Sequence, residues 1–577
     1  MKKLITRFWG CLHLIVLSVI CSCERESLQQ GDIIQTCYNA RIKGETVDNP
    51  YSLRIMQAAL DSLLSTKGIA NKEIELKPTD YYIRINPTDS LSTQLLSSMD
   101  VELFDYPLDC EFEDNAEYYY DPQEPIGQDS EWYYSAVPVE YSTKEIPYKD
   151  VLEAQAEGEI IHLELNANID NKVSCELLDE CYVPEHALKT KTGDKLPVSI
   201  EELESMAFLI AGVQEEYKTK ASSPQNPSGF VYVNDGSKKR PVKGVKIRVQ
   251  KFINWSTVYT NDAGYFYVCE KYNKPNISII YSNQKDFIIW GNWLFLAPAT
   301  YTVTSCTHPN SFTKEFDQKN TYAPWTWAVV NNSAYEYYCN CATNQMLNGV
   351  SLPPSKMKLW CLNVDMGNVG GGAPMIKHLV TSRVLSGTTA ILSYLTTIRW
   401  VKFITTAVAA VINVMGPDIL LNTFKQSYSD LYLTTYHELC HASHFSSIGE
   451  WNYGKLIWYE MTHPGDATNI YGVGGTGAEG EGYCEVSESF AYSIENFKQY
   501  KTSSGPYYWH GNTKAYFFGK YVTVLTNLLI NSVIVPGDIF ACMTPEMTSM
   551  DDLLEQLCLN NPGKKSVIQS EMAKAGL

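Results

Sequence analysis

Residues 432–445 read YLTTYHELCHASHF and contain neither proline nor glycine, so they predict one continuous helix. The polar pair Ser446 and Ser447 follows directly and marks the predicted end of the helix. Residues four positions apart, such as His437 and His441, lie one above the other on the same face of a helix. The segment therefore places two imidazoles side by side.

The pattern His437-Glu438-x-x-His441 has the spacing of a site that binds a metal ion and activates water. Both imidazoles can bind one Zn²⁺, and a carboxylate beside that face can accept a proton from the attacking water, which the metal acidifies. We therefore expect His437 and His441 to be metal ligands and Glu438 to be the general base. The implied cofactor is Zn²⁺.

A zinc site needs a third protein ligand, and residues 485–495, EVSESFAYSIE, supply carboxylates on a second predicted helix. The run ESFA at 488–491 resembles the second zinc helix of the gluzincins, the group that includes thermolysin and aminopeptidase N. In that group the third ligand is a Glu followed shortly by Phe and a small residue. The resemblance implies that Glu488 is the third ligand. Glu485 and Glu495 share its face, where a carboxylate can orient a histidine ligand.

The spacing departs from the gluzincin pattern. Here the segment 442–487 precedes Glu488, whereas thermolysin and aminopeptidase N have a much shorter segment, so an insertion carrying the glycine-rich residues 472–482 is required. Two other carboxylates stay open as the third ligand. Glu460 fits the aminopeptidase spacing, and Glu450 fits that of a shorter class of zincin, but neither is followed by Phe and Ala.

Gluzincins also use a downstream His or Tyr to stabilise the oxyanion of the tetrahedral intermediate. The resemblance therefore predicts such a residue after Glu488, and Tyr508 and His510 are favoured because their loop is flanked by glycine and proline. The other candidates are Tyr507, Tyr516 and Tyr521.

Two neighbouring features have a supporting role in this prediction. His444 shares a face with His441 but lies two turns from His437, so we expect it to pack or to support a ligand and not to bind the metal. Residues 417–422 predict a short strand. The gluzincin resemblance places this strand along the substrate cleft, and an ordinary structural strand is the equal alternative.

Upstream, short alternating strands joined by Gly, Asn and Asp turns predict a small β-sandwich over residues 226–305. The runs are GFVYV at 229–233, PVKGVKIRV at 241–249 and TNDAGYF at 260–266. Their order resembles that of the carboxypeptidase regulatory-like domains, which are transthyretin-type sandwiches attached to many exported bacterial proteins. The resemblance implies a domain that spaces or docks and does not catalyse.

Residues 49–217 predict an α+β domain of unknown role. Leu53, Met56 and Leu60 recur at helical spacing, and residues 81–85 alternate as a strand. Its sequence contains no recognisable catalytic constellation.

Residues 1–23 have the layout of a lipoprotein signal peptide. A positively charged start precedes the apolar run 12–20, which is too short to span a bilayer. The sequence ICSC at 20–23 resembles a bacterial lipobox, which implies lipidation of Cys23. Residues 24–48 then predict a polar tether. We therefore expect an exported bacterial lipoprotein, anchored by its lipid in the outer membrane or at the cell surface.

The charge balance excludes nucleic acid as a partner. The net charge is -19, with 65 Asp and Glu against 46 Lys and Arg, whereas phosphate binding requires clustered cations. The apolar run 392–415 contains Arg399 and Lys402, and this interruption predicts a buried helix and not a membrane helix.

These observations together predict a multidomain α+β protein of 577 residues. It combines the N-terminal α+β domain and the small β-sandwich with a C-terminal, mainly helical zincin-like domain over residues 306–577. The expected function is zinc-dependent hydrolysis of an amide bond in a protein or peptide substrate. An endopeptidase is favoured because the GAMEN-type sequence of exopeptidases is absent. A catalytically inactive surface binding or adhesion lipoprotein, and a hydrolase of cell-wall peptides or glycopeptides, stay open as alternatives.

Overall fold

The computed structural model shows a mixed α/β protein whose C-terminal region is mainly helical. It describes residues 44–69, 74–87, 102–104, 106–119, 132–139, 161–164, 172–189, 196–213, 224–290, 298–363, 370–376, 378, 417–463, 474–502 and 516–577. The predicted signal peptide with Cys23, most of the predicted tether, the apolar run 392–415, Tyr508 and His510 lie outside these residues. Among the helices of the described part, none has both the length and the apolar character needed to cross a membrane.

The strands of the described residues fall into four sheets. They are β1 Gly44–Thr46, β2 Asp80–Pro87, β3 Cys110–Phe112, β4 Glu117–Tyr119, β5 Tyr133–Pro138, β6 Ile161–Glu164, β7 Lys172–Cys181, β8 Ser228–Asn234, β9 Lys239–Pro241, β10 Val245–Lys251, β11 Asn254–Tyr259, β12 Tyr265–Tyr267, β13 Asn276–Asn283, β14 Phe287–Trp290, β15 Thr300–Val303, β16 Phe312–Phe316, β17 Met357–Leu362, β18 Gly371–Gly372 and β19 Ile419–Asn422.

The longer helices lie in the C-terminal half. The helices are α1 Leu53–Thr66, α2 Pro184–Lys189, α3 Ile200–Ile210, α4 Tyr322–Asn340, α5 Tyr428–Thr462, α6 Glu481–Thr502, α7 Gly519–Ile530, α8 Pro536–Phe540, α9 Met550–Asn560 and α10 Lys565–Ala575.

The N-terminal region is an antiparallel sheet in the order β5-β2-β7-β6, with α1 and α3 packed together beside it. The predicted helix and the predicted strand 81–85 are both confirmed, as α1 and β2. Met56 and Leu60 of α1, Tyr82 of β2 and Phe208 of α3 belong to one buried cluster. The turn between β10 and β11 inserts Phe252 into the same cluster, so the next sheet packs directly on this region.

That contact buries a network of acidic and polar side chains. The Tyr51 hydroxyl donates a hydrogen bond of 2.6 Å to Glu204, and the Asn254 amide donates one of 3.2 Å to Glu185. Burial, followed by the negative charge of Glu185, raises the pKa of Glu204 to about 8. Folding therefore favours the protonated form of Glu204.

The protonation of Glu204 makes stability depend on pH. Its contribution to the free energy of unfolding is fully present below the ordinary pKa of 4.5 and is lost as the pH rises toward about 8. We expect Glu204→Gln, which cannot ionise, to be more stable than the wild type at pH 8 by about 4 kcal/mol and nearly equal to it at pH 4.5. Urea unfolding at the two pH values measures this difference. A stability gain that is the same at both would contradict the assignment.

The segment predicted as a β-sandwich contributes its strands to two sheets. The smaller one contains β8, β9, β12 and β16, and the larger one contains β10, β11, β13 and β15 among its nine strands. Val231 of β8 and Phe266 of β12 enter the same core cluster as Ile247 of β10 and Ile279 of β13. Inward-facing side chains of both sheets thus share one interior, as in a sandwich.

The larger sheet continues past residue 305, where the sequence predicted a domain boundary. It runs in the order β11-β10-β13-β14-β17-β19-β18, and β14 pairs in parallel with β17 from Phe287↔Met357 to Trp290↔Trp360. In the smaller sheet, β16 pairs in parallel with β8. Strands from the region predicted to be helical therefore complete both sheets, and one hydrophobic cluster spans the two regions.

The helix α5 is longer than the sequence predicted. It begins at Tyr428 and continues beyond Ser446 and Ser447, because serine is tolerated within a helix that tertiary contacts support. The actual break is at Gly449, whose φ of 76° and ψ of 170° lie outside the helical region. The helix therefore consists of two segments joined by a kink, and the first of them packs against α6, α4 and the end of the large sheet.

Candidate metal centre

The first segment of α5 is fixed by its cap and by its apolar faces. The Ser427 side chain accepts a hydrogen bond from the backbone N–H of Asp430, which satisfies a free donor in the first turn. Leu431, Tyr436 and Leu439 are buried in the core cluster. These contacts hold the segment against α6, and His437 and His441 face that helix.

The predicted ligands His437, His441 and Glu488 converge on one point. The Nε2 atoms of the two histidines are 3.0 Å apart. The Glu488 carboxylate oxygens lie 3.5 Å from Nε2 of His437 and 3.4 Å from Nε2 of His441. All three residues are buried, and their ligand atoms form a group that could hold a metal ion.

Each histidine is held through its other ring nitrogen. Nδ1 of His437 is 3.0 Å from Oε2 of Glu495, and Nδ1 of His441 is 2.8 Å from the Ser487 hydroxyl. Such contacts fix the ring orientation and the tautomer, so that Nε2 stays free to bind a metal. Of the two flanking carboxylates considered in the sequence, Glu495 therefore supports a histidine. Glu485 instead accepts a hydrogen bond from the backbone N–H of Met550 at the start of α9.

A wall of aromatic rings lines one side of the group. The Tyr492 ring packs edge-on against the His437 imidazole with centroids 4.4 Å apart, and the Tyr516 ring lies 6.0 Å from that of Tyr492. Burial raises the pKa of Tyr516, a hydrogen bond from Tyr492 opposes this, and the negative charge of Glu488 adds to the rise. Tyr516 is thus close enough to Glu488, the predicted third ligand, for that charge to affect its pKa.

The carboxylates around the histidines favour a cation. Burial opposes protonation of His437, but hydrogen bonds to Glu488 and Glu495 and the charge of Glu438 outweigh it and raise the pKa of His437 well above its ordinary value. For His441, burial outweighs the opposing charge of Glu488 and, with a smaller contribution from His437, lowers the pKa to about 4, so this imidazole is neutral. Surroundings that hold a proton on one histidine also favour a divalent cation between the two.

Glu438 is buried beside the ligand group and against the edge of the large sheet. Burial first, and then the charges of Glu488 and Glu495, raise its pKa to about 8, with His437 opposing. A Cβ atom at position 371 would lie 2.8 Å from Oε1 of Glu438. Only glycine leaves room for the carboxylate there, so β18 and the Glu438 side chain are in close contact.

The strand predicted at residues 417–422 is present, but it is not the edge of the sheet in the described part of the chain. It forms β19, which pairs in parallel with β17 on one side and antiparallel with β18 on the other. Among the described strands, the one at the edge beside Glu438 is β18, at Gly371 and Gly372. This two-residue strand could not be predicted, because neither glycine has a strand preference.

The other candidate ligands lie elsewhere. Glu460 is outside the ligand group, although its pKa is affected by the charges of Glu488 and Glu438. Glu450 is exposed to solvent just after the kink. His444 is fully buried and packs on Tyr453, and neither of its ring nitrogens has a hydrogen-bond partner among the described residues. Burial first and His441 second lower its pKa to about 3, so it is a neutral packing residue.

Of the predicted oxyanion residues, Tyr508 and His510 stay predictions because they lie outside the described residues. Tyr521 donates a hydrogen bond of 2.9 Å to Asp551, away from the ligand group. Tyr516, which was a less favoured candidate, is the one that lies near Glu488.

Three neighbours of the site were missed from the sequence. The positions of Ser487 and Tyr492 could have indicated their roles. Ser487 directly precedes Glu488, and Tyr492 follows it by one helical turn, so both lie near the predicted ligand. Gly371 gives none, since its role depends on a contact between residues far apart in the chain.

Glu495 gives a direct test of the geometry. We expect Glu495→Gln to bind zinc roughly 10-fold more weakly than the wild type, because an amide orients the His437 ring but does not raise its basicity as a carboxylate does. Competition with a chromogenic chelator measures the affinity. Glu485→Gln, on the same helix but in contact with α9, is the matched control and should bind zinc like the wild type. Equal affinity in both variants would show that Glu495 does not support the ligand.

Comparison of the chain with protein-family models, with curated proteins and with solved structures found no match.

Proposed function

We propose that the protein is a zinc-dependent metallohydrolase of the gluzincin type, and specifically a peptidase. The observation that carries the proposal is the convergence of His437, His441 and Glu488, from two separate helices, with Glu438 buried beside them. The residues between His441 and Glu488 do not prevent this, because ligand geometry depends on how α5 packs on α6 and not on the length of the connecting chain.

The donor set and its dimensions suit zinc. Two ligands at about 2.0 Å from a tetrahedral zinc ion are about 3.3 Å from each other, and the three distances in the group are 3.0, 3.4 and 3.5 Å. Two imidazoles and one carboxylate are the protein ligands of several zinc peptidases, which leave the fourth position for water or substrate. Zinc bound there acidifies water and polarises a carbonyl group.

The roles of the chain's own residues follow from their positions. The Glu438 carboxylate accepts the proton of the attacking water and passes it to the leaving amide nitrogen. Glu495 and Ser487 hold the two imidazoles in place. Tyr516 is the described side chain that we propose to donate a hydrogen bond to the oxyanion, beside the predicted Tyr508 and His510.

A peptide substrate is supported by the sheet edge next to the site. Strand β18 borders Glu438, and an extended peptide can add to such an edge by backbone hydrogen bonds. That arrangement would place a backbone carbonyl close to the ligand group. An edge that binds backbone along its length favours cleavage within a chain, and hence an endopeptidase.

We further propose that the protein is exported as a lipoprotein, on the evidence of the lipobox-like sequence ending at Cys23. Cys110 is disulfide-bonded, which an oxidising compartment permits. The membrane contact is then the lipid anchor, and nucleic acid is not a partner.

Metal analysis and peptide turnover of the purified full chain test the proposal. We expect about one zinc ion per chain, cleavage of members of a broad peptide library, loss of cleavage after treatment with a chelator and its recovery with zinc. Stoichiometric zinc without cleavage of any peptide would favour the inactive binding protein. Absence of bound zinc would exclude the metal site itself.

A further inference from the structure

We infer that His378, held by the buried carboxylate of Asp418, is a positioning residue that fixes strand β18 at the edge where a peptide substrate binds. The inference rests on the proposed function, since it concerns the strand that borders Glu438. The described residues from 370 to 378, which contain β18 and end at His378, are called the border segment below.

Strand β18 is too short to hold its own position. It has two residues, and its ladder with β19 consists of the pairs Gly371↔Leu421 and Gly372↔Leu420. Glycine loses more backbone freedom on folding than any other residue, and it has no side chain to pack. The contacts made by the rest of the border segment must therefore help to keep β18 in place.

Three contacts tie the residues after β18 to the rest of the fold. The Tyr453 hydroxyl, on the second segment of α5, donates a hydrogen bond of 2.7 Å to the carbonyl of Ala373. The backbone N–H of Met375 donates one of 3.0 Å to the carbonyl of Asp418. Nδ1 of His378 lies 2.7 Å from Oδ1 of Asp418. Met375 has a φ of 51°, a conformation that persists in a residue with a side chain only where neighbours enforce it.

Asp418 is a rigid anchor for this segment. It is fully buried directly before β19, and its Oδ2 accepts a hydrogen bond of 2.9 Å from the backbone N–H of Lys358 on β17. Its own N–H donates one of 2.8 Å to the Lys358 carbonyl. One side chain thus connects two neighbouring strands of the large sheet to His378. Removal of the imidazole would leave Oδ1 buried without a donor among the described residues, and such a loss destabilises the local structure.

His378 also contacts the helix that carries the proposed ligands. Its ring packs edge-on against the Phe445 ring, with centroids 5.8 Å apart, and Phe445 follows His441 by one helical turn. The border segment therefore runs along α5 from Glu438, whose carboxylate packs on Gly371, to Phe445. Two helical turns cover about 10 Å, which is also the length of roughly three residues of extended peptide. The His378–Asp418 pair thus secures the far end of an edge long enough to bind a peptide backbone.

Loss of this pair should affect the binding of substrate and leave the metal site in place. The three proposed ligands and Glu438 are carried by α5 and α6, which pack on each other and on α4 independently of the border segment. A displaced β18 instead costs a bound peptide its backbone hydrogen bonds to this edge. The consequence is a higher KM for extended substrates, with kcat and zinc content retained.

The test compares variants of the zinc-loaded full chain. His378→Ala removes the pair, whereas His378→Asn places an amide N–H near the position of Nδ1 and keeps a donor for Asp418. His186→Ala is the matched control, because Nδ1 of His186 lies 2.8 Å from Oδ2 of Asp80 in the N-terminal region. The two histidine side chains are 22% and 19% exposed and the two aspartates 1% and 0%, so equivalent interactions are removed.

We expect His378→Ala to raise KM for a hexapeptide about 10-fold, which corresponds to roughly one lost hydrogen bond. The KM for a dipeptide, which is too short to follow the edge, should change little. His378→Asn should restore most of the affinity for the hexapeptide. His186→Ala should lower the melting temperature as His378→Ala does and leave KM unchanged. If His378→Ala does not fold, His378→Gln replaces it, since glutamine fills the space but offers its amide nearer the position of Nε2.

Amide hydrogen exchange, followed by mass spectrometry, gives a second measurement that does not need turnover. In His378→Ala the peptide that contains β18 should exchange about 10-fold faster than in the wild type, because local opening there becomes easier. The peptide that contains His437 and His441 should keep its protection. His186→Ala should leave the exchange of both peptides as it is in the wild type.

Two results would overturn the inference. A hexapeptide KM that is unchanged in His378→Ala, or that rises equally in His186→Ala, would show that the pair only stabilises the fold. Unchanged exchange of β18 in His378→Ala would show that the pair does not hold the strand. Both results leave the proposed function intact as long as the wild type binds zinc and cleaves peptides. A wild type that does neither contradicts the proposed function, and the exchange measurement then decides separately whether His378 positions β18.

Discussion

Replacing Glu438 by glutamine is expected to lower kcat/KM for peptide cleavage by about 10³-fold while the zinc content stays at that of the wild type. Glutamine has nearly the same shape as glutamate but cannot accept and release a proton at neutral pH. The position tolerates little else, because Glu438 is buried and lies against the backbone of Gly371. The measurement is the rate of cleavage of a fluorogenic peptide, with zinc determined on the same sample.

The control for this variant is Glu450→Gln, which changes an exposed carboxylate on the same helix. It should cleave at the wild-type rate. A Glu438→Gln variant that keeps full activity would remove Glu438 from the role of base, even if zinc is bound. Loss of zinc together with activity would mean that the side chain supports the metal and is not the proton acceptor.

Replacing Glu488 by alanine is expected to weaken zinc binding by roughly 10³-fold or more and to abolish cleavage, because only two imidazoles would then hold the ion. Both oxygens of Glu488 face the histidines, at 3.5 and 3.4 Å from their Nε2 atoms. His441→Ala should have an effect of similar size, since it removes one of those imidazoles. Chelator competition gives the zinc affinity of each variant.

This experiment also decides between the two carboxylates that the sequence left open. Glu460→Gln is expected to keep its zinc, because Glu460 lies outside the ligand group. If Glu460→Gln loses zinc and Glu488→Ala retains it, the third ligand is Glu460 and the proposed geometry is wrong. Circular dichroism of each variant shows whether a loss of zinc reflects unfolding.

The ligand group could be predicted because its information is local. Two histidines four apart must share a helical face, and the Phe490–Ala491 context singled out Glu488 in spite of its unusual distance from His441. The contact of Glu495 with His437 follows from the same periodicity, since seven residues are close to two turns of helix. The structure agrees with these expectations because both helices are regular where the ligands lie.

The sheets were much less predictable. Strands β16 and β17 are short, and their partners β8 and β14 lie about 70 to 80 residues earlier in the chain. Parallel pairing of this kind leaves no turn signal in the sequence, so the apparent boundary at residue 305 could not be recognised as the middle of two sheets. Gly371 was missed for the same reason, because its importance comes from a contact with Glu438.

The continuity of the large sheet affects how the chain can be divided. A fragment starting at residue 306 would leave the β14-facing edge of β17 without its partner and would remove β8 from beside β16. Unpaired backbone along such an edge favours association with other chains. The strand that borders Glu438 would keep β19 and β17 beside it but would lose the rest of the large sheet beyond β17, so truncation at this point should give aggregated protein even though all three proposed ligands remain in the fragment.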